Sequence, residues 1–175
     1  MTSPDGINWT SRTAAADHNW LSVTYGLGSG TTTPLFVAVG RDSVLSEGAV
    51  MTSSDGINWT GHSSLAGDKL WKSVTYANGL FVAVGVDYDL IYGAVMTSSN
   101  GITWTSQVAP ANDNWWQSVI YGNGLFVAVG YNWDISEGAV MTSPDGYTWT
   151  RQTAIAIDNV WTSVTYANGL FVAVP

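Results

Sequence analysis

The sequence predicts an all-β fold, a β-propeller, because one unit of about 45 residues occurs four times along the chain. The copies begin at Met1, Met51, Met96 and Met141. A period of this size is typical of propellers and related repeat arrays. Each copy reads M-T-S-P/S-D/N-G-x-x-W-T, then D-x-x-W-x-S-V-T/I-Y, and then L-F-V-A-V. The 175 residues are therefore expected to form one repeat domain, with copies at 1–50, 51–95, 96–140 and 141–175.

Each copy contains four short segments that are rich in β-branched and aromatic residues, as strands are. The pair Asn78-Gly79 separates the first two segments of the second copy, and Asn-Gly between apolar strands is the strongest short hairpin signal. The second segment is apolar on both faces, which is typical of a sheet covered on both sides. Such a four-stranded sheet is a propeller blade. In the second copy, strands a, b, c and d are predicted at 71–76, 80–84, 94–98 and 102–105.

The chain begins with a c-d pair and ends with an a-b pair, so its two ends are halves of one blade. We expect four blades per chain, with residues 1–10 and 161–174 sharing the closing blade. Closure removes two exposed sheet edges, which would otherwise promote aggregation. The halves can meet within one chain, or between two chains by strand exchange, which would give a homo-oligomer and a larger ring.

The turn between strands c and d has a fixed sequence, S-P/S-D-G-x-x-W-T, with Asn100 replacing the aspartate in the third copy. An aspartate here can accept bonds from the amides of its own turn, and the tryptophan is expected to pack between blades. These turns resemble the Asp-box of sialidase-like, BNR-type bacterial propellers, although that family usually has one residue between Asp and Gly. The resemblance implies a propeller fold and a structural role for Asp5, Asp55, Asp145, Trp9, Trp59, Trp104 and Trp149.

The composition excludes several partners. The net charge of -8, with five Lys and Arg, argues against nucleic acid and anionic membrane, because phosphate binding needs a basic surface. The chain has no cysteine, so disulfides and thiolate metal sites are excluded. No apolar run is long enough for a membrane span, and no signal-peptide pattern is visible. We expect an extracellular or cell-surface location if the chain is part of a longer adhesin.

The d-a and b-c loops are predicted to share one face of the propeller, because successive loops of a meander alternate between the ends of a sheet. Those loops vary between copies, whereas the a-b and c-d turns are nearly constant. A rigid scaffold with varied loops on one side is typical of recognition. Aromatic faces beside amides and carboxylates suit sugar rings, although some of these rings could simply cover the blade tops. The predicted ligand-binding residues are Tyr88, Tyr92, Tyr131, Trp133, Asp134, Asp87, Asp89 and Trp115.

One acidic position is the same in all four copies, three residues before the strand-a tryptophan. Strand a is innermost in a propeller, so these carboxylates should surround the mouth of the central channel. A bound cation or protonation would relieve their repulsion. The alternative, which we favour, is that each caps its own turn or bonds the neighbouring blade. The four residues are Asp17, Asp68, Asp113 and Asp158, and no other cofactor is expected.

The sequence favours a non-enzymatic module that binds a glycan or cell-surface ligand, in the manner of a lectin or adhesin. A glycosidase needs a paired acid and base with a raised pKa on one of them, which Glu47 and Glu137 with the loop aspartates could in principle supply. His18 and His62 occupy non-equivalent loop positions without a nucleophile signature. Sialidase chemistry uses a cluster of three arginines, and no matching motif surrounds Arg12, Arg41 or Arg151. The alternative function is a ligand-free repeat scaffold, designed or amplified.

Overall fold

The computed structural model describes residues 1–42, 44–65, 67, 69–110, 114–132, 134, 137–153 and 160–175. Every regular element in these residues is a β-strand, and no helix among them could cross a membrane. The first two sets of strands are β1 (Asn19–Gly26), β2 (Leu35–Arg41), β3 (Gly48–Ser53), β4 (Thr60–Ser63), β5 (Lys69–Ala77), β6 (Leu80–Asp87), β7 (Tyr92–Ser98) and β8 (Thr105–Gln107). The others are β9 (Asn114–Gly122), β10 (Leu125–Asn132), β11 (Glu137–Ser143), β12 (Thr150–Gln152), β13 (Ser163–Ala167) and β14 (Leu170–Val174).

These strands form propeller blades. Strands β1–β4, β5–β8 and β9–β12 make three four-stranded antiparallel sheets, which we call blades 1, 2 and 3. Strands β13 and β14 make a two-stranded sheet, the a-b half of a fourth blade. Its c-d half is the hairpin of residues 1–10, which Thr2 and Thr10 close with backbone bonds of 2.9 and 2.8 Å. The all-β class and four-stranded antiparallel blades are confirmed, and the strands fit a four-blade propeller.

The closing blade is not joined within this chain. Among the described residues, no backbone pairing links β14 to residues 1–10. The complete strand β7 has seven residues, whereas Met1, Thr2 and Ser3 are the residues at strand-c positions in the first copy.

The hydrophobic core lies between the blades. Strand β6 is buried along its whole length, as the apolar b segment predicts. Trp71 of blade 2 packs with Val37 and Val39 of blade 1, and Trp116 of blade 3 packs with Val82 and Val84 of blade 2. Each blade therefore supplies one wall of its neighbour's core, and no blade could bury its apolar residues alone.

The innermost strands of neighbouring blades are linked by one repeated hydrogen bond. The hydroxyl oxygen of a strand-a serine accepts the backbone N–H of a valine in the next strand a. A β-bulge lies beside this serine in β1 and β5. The donor and acceptor pairs are Val74 to Ser22 (3.1 Å), Val119 to Ser73 (3.1 Å) and Val164 to Ser118 (3.3 Å).

Strand d begins later than the sequence predicts. In blade 2 it covers 105–107 rather than 102–105. The reason is that Oδ1 of Asn100 accepts the amides of Ile102 and Thr103, at 2.9 and 2.8 Å, which holds these residues in the turn. Asp5, Asp55 and Asp145 accept the equivalent pair of amides in their own turns.

The tryptophans after these turns differ in burial. Trp104 and Trp149 are each 7% exposed, and Trp59 is half-buried. Trp9 is 58% exposed, so the prediction that it packs between blades is wrong for this chain. The physical reason is that its hairpin lacks the a-b half on which the equivalent tryptophans pack. Trp149, for example, lies with its ring 6.5 Å from that of Phe126 in β10.

Replacing Asp145 by alanine should lower the free energy of unfolding by about 1 kcal/mol, because two amides lose an exposed acceptor. The amides of Thr148 and Tyr147 hold the pKa of this carboxyl below its usual range. Its charge therefore stabilises the fold above the unfolded pKa, and this contribution is lost as pH falls through the folded pKa. Asp145→Asn should retain most of the stability, since Asn100 accepts the same bonds. Urea denaturation near pH 7 and near pH 3 tests both statements.

Candidate functional site

A cavity of about 520 Å³ opens on the face formed by the d-a and b-c loops of blade 1. We call it the first-blade groove, and its principal side chains are His18, Trp20, Asp42, Glu47 and His62. Its volume is within the range of small-molecule sites. The groove confirms that b-c and d-a loops share one face, because both kinds of loop contribute to its walls.

Asp42 is held as a carboxylate by its own loop. Its Oδ1 accepts the amides of Leu45 at 3.0 Å and Val44 at 2.7 Å, and these bonds hold its pKa below the usual range. Nδ1 of His18 lies 3.8 Å from the same oxygen. The Asp42 amide donates to the Glu47 carbonyl at 2.8 Å, so the two acidic residues flank the base of one loop.

The two histidines approach the groove from different strands. His18 precedes β1, and its ring centre lies 5.6 Å from that of Trp20. His62 is in β4, where its Nε2 lies 2.7 Å from the hydroxyl oxygen of Thr52. Burial lowers the pKa of His62, so its neutral form is favoured at neutral pH. A neutral imidazole can both donate and accept a proton or a hydrogen bond.

Blade 2 has the same groove at equivalent positions, with about 180 Å³ of space. Lys69 stands where blade 1 has His18, and its Nζ lies 2.7 Å from Oδ2 of Asp87. The other replacements are Tyr92 for Glu47 and Gln107 for His62. The second-blade groove is therefore filled by a structural ion pair, whereas the first-blade groove keeps its acidic and imidazole groups around open space.

Sequence reasoning missed the pairing of His18 with Asp42. The signal was present, because His18 lies two residues before the strand-a tryptophan and Asp42 lies two residues after the strand-b glycine. The same two positions face each other across the strands as Lys69 and Asp87 in blade 2. His18 lies in a d-a loop and Asp42 in a b-c loop, and the antiparallel pairing of β1 with β2 brings these two loops together.

Three of the predicted ligand-binding aromatics form a row across the loop face. The ring centres of Tyr88 and Trp115 are 5.6 Å apart, and those of Trp115 and Tyr131 are 5.7 Å apart. The Arg41 guanidinium lies 5.0 Å from the centre of the Tyr88 ring. Burial, and then the neighbouring Tyr88, raise the pKa of Tyr131. We call the three rings, together with the Arg41 guanidinium beside them, the aromatic row.

The other predicted ligand-binding residues lie elsewhere. Tyr92 and Asp87 line the second-blade groove. Asp87 is buried, and its Oδ1 accepts the amides of Asp89 and Leu90, at 3.1 and 3.3 Å. Asp89 and Asp134 are exposed, and Trp133 is outside the described residues. Ligand binding by these residues stays a prediction.

The predicted acidic ring is only partly visible. Asp17 is described and exposed, whereas Asp68, Asp113 and Asp158 are outside the described residues. Within the described part of the chain, no group of three or more His, Cys, Asp or Glu residues is arranged to hold a metal ion. The cation in the central channel stays a prediction.

Comparison with known proteins identifies the fold. No protein-family model matches the chain. No curated protein matches it either. Two solved structures of the Bombyx mori GH32 β-fructofuranosidase, one of a point mutant with sucrose, are similar at TM-scores of 0.53 and 0.52 and 13% identity. The fold is a β-propeller.

The two alignments cover 88% and 87% of this chain, and 41% and 40% of the silkworm enzyme. The chain thus spans less than half the length of that protein. A structure from the GH130 family of mannoside phosphorylases is similar at a TM-score of 0.44 and 16% identity, over 79% of this chain and 50% of that one.

The similarity to the two silkworm structures corrects two predictions from the sequence, the non-enzymatic binding module and the exclusion of enzymatic activity. The silkworm propeller is a carbohydrate-processing enzyme rather than a lectin or a ligand-free scaffold. The exclusion rested on the absence of a recognisable catalytic motif in the sequence, whereas the similar propeller structure belongs to a β-fructofuranosidase. At 13% identity the similarity shows the fold alone, and an activity on carbohydrate is a proposal.

Proposed function

We propose that this propeller hydrolyses glycosidic bonds, and that the first-blade groove is its active site. The observation that supports this most strongly is the meeting of Asp42, Glu47 and His18 around open space next to Trp20. Glycoside hydrolysis needs two carboxyl groups beside the scissile bond, one ionised and one able to donate a proton. An aromatic ring beside them offers a flat surface for a sugar ring.

The role proposed for Asp42 follows from its surroundings, and Glu47 takes the remaining role. Asp42 accepts two backbone amides, which favour its ionised form, so it is assigned to stabilise positive charge at the anomeric carbon. Glu47 is assigned to donate a proton to the departing glycosidic oxygen. As that carbon–oxygen bond breaks, a water oxygen adds to the anomeric carbon, and its proton passes to a carboxylate. The products are two free sugars.

The aromatic row supports a substrate of several sugar units. It begins at Arg41, the residue before Asp42, and continues through Tyr88 and Trp115 to Tyr131. Half-buried rings along such a line can contact successive sugars of a chain whose scissile bond lies in the groove. Glycans are therefore the proposed partners.

We also infer that the c-d turns belong to the Asp-box class. Support comes from Asp55, whose Oδ1 accepts the amides of Ile57 and Asn58, both at 2.8 Å. Support also comes from Trp59, whose ring N–H donates to the Gly56 carbonyl at 3.2 Å. In this role the aspartates hold turns and take no part in catalysis.

Replacing Asp42 by asparagine should reduce kcat/KM at least about 100-fold, because the groove loses its fixed negative charge while its shape is kept. The assay uses a panel of aryl glycosides together with sucrose, the sugar bound in one silkworm structure. Asp145→Asn is the matched control, since it makes the same chemical change on the opposite face. Binding without turnover of any substrate, or equal rates for Asp42→Asn and the unsubstituted protein, would contradict the proposal.

A further inference from the structure

The C-terminal end of the blade array exposes apolar strand residues. Leu170, Val172 and Val174 of β14 are 63%, 47% and 51% exposed. The same L-F-V-A-V segment forms β6, where it lies between two other strands and between two blades. The residues at equivalent positions there, Leu80, Val82 and Val84, are at most 7% exposed. Three apolar residues of β14 are therefore exposed in the described structure, although their equivalents in blade 2 are buried.

The N-terminal end presents the complementary half. Residues 1–10 already lie against blade 1, because Cγ2 of Thr2 is 3.7 Å from the position of a Cβ on Gly56. Beside this hairpin, the outer face of β1 is open, with Leu21, Val23 and Tyr25 each about half exposed. Among the described residues, the hairpin of residues 1–10 pairs with no a-b half, and the sheet of β13 and β14 pairs with no c-d half.

We propose that a second copy of this chain joins the two ends, with β14 of one copy pairing with residues 1–3 of the other. The register follows from blade 2, where Phe81 pairs with Ser98, Val82 with Thr97 and Ala83 with Met96. Both segments recur unchanged at the chain ends. The pairs across the junction are therefore Phe171 with Ser3, Val172 with Thr2, and Ala173 with Met1.

Other contacts between blades are matched at this junction. Ser163 occupies the strand-a position at which Ser22, Ser73 and Ser118 accept a valine amide from the next blade. Val23 of the second copy occupies the donor position. The exposed Trp9 gains Phe171 as its neighbour, as Trp149 has Phe126.

The number of copies follows from ring closure. Each chain carries the strands of four blades, so two copies joined head to tail at both junctions give eight blades with two-fold symmetry. Propellers typically have four to eight blades, and a third copy would exceed that range. The assembly does not depend on the proposed catalytic activity, because no groove residue takes part in the junction.

Light scattering after size exclusion tests this assembly. The original chain should have twice the 18.6 kDa of one copy. Val172→Asp should halve that mass with an unchanged circular dichroism spectrum, because the charge disrupts the junction and leaves blades 1 to 3 intact. Val108→Asp is the matched control, since Val108 is 85% exposed and lies in the loop that connects blade 2 to blade 3. A monomer mass for the unsubstituted protein, or a dimer mass for Val172→Asp, would overturn the proposal.

Disulfide trapping tests the register and separates exchange from closure within one chain. The chain has no cysteine, so Thr2→Cys and Val172→Cys can be introduced into separate copies. Facing residues of an antiparallel ladder have Cα atoms about 4.5–5.5 Å apart, within the range of a disulfide. Mixed copies should form a cross-linked product of doubled mass, and Val108→Cys in place of Val172→Cys should form none. A chain carrying both changes that links to itself at single-copy mass would show internal closure and exclude the proposal.

Discussion

Replacing Trp104 by alanine should lower the free energy of unfolding by about 3–5 kcal/mol. Trp104 is 7% exposed and packs in the core between blades 1 and 2, with Val37 and Phe81 among its cluster. Its ring N–H donates to the Gly101 carbonyl at 3.3 Å, which fixes the ring over its own turn. Removing the side chain leaves a cavity that two rigid sheets cannot close, so the cost should be near that of other buried aromatics.

Tyr147→Ala is the control for this experiment, because Tyr147 lies in an equivalent turn and is 50% exposed. It should cost no more than about 1 kcal/mol. Guanidinium denaturation followed by tryptophan fluorescence and by circular dichroism measures both variants. A loss for Trp104→Ala as small as that for Tyr147→Ala would mean that the ring does not support the contact between blades.

Replacing Gly85 by alanine should destabilise the fold by about 2–3 kcal/mol. A Cβ on this glycine would overlap the Leu70 carbonyl and lie about 3 Å from Cα of Trp71. Both are backbone groups of the paired strand, at the bulge between Trp71 and Ser73, so no side-chain rotation can relieve the overlap. The glycine that ends the L-F-V-A-V-G segment is therefore required, because the backbone of the paired strand leaves no space for a side chain.

Gly61→Ala is the matched control. A Cβ on Gly61 would meet only the Ala15 side chain, at an ordinary distance of 3.6 Å, and the residue lies in a strand as Gly85 does. Its stability should change by less than about 0.5 kcal/mol. Equal melting temperatures for the two variants would show that the bulge can move to accommodate a methyl group.

The sequence predicted the elements that depend on local chemistry. Asn-Gly turns tolerate positive φ, which the structure shows at Asn78 (52°) and Gly79 (77°), so the a-b hairpins were predictable. Strand b was predictable from its unbroken apolar run. Strand d was displaced because the amides after Asn100 bond to its side chain, a preference of the turn over the strand that composition does not reveal.

The candidate site was only partly predictable. The sequence placed the aromatics of the loop face, and the structure brings Tyr88, Trp115 and Tyr131 into one row. It did not connect His18 with Asp42, which are separated along the chain by β1 and β2. Nor did it show that Trp9 would be exposed, because burial at that position depends on strands from the other end of the chain.

By itself, the sequence determined the repeat, the blade and its turns, because these follow from the hydrogen bonding and apolar pattern of residues close in the chain. Only the tertiary structure decided which groups meet in the groove. Asp42 approaches His18 because the strands pair in one register, and the groove stays open because blade 1 lacks the ion pair that Lys69 and Asp87 form in blade 2. Such contacts depend on side chains from separate strands, so the identity of each residue does not determine its partner.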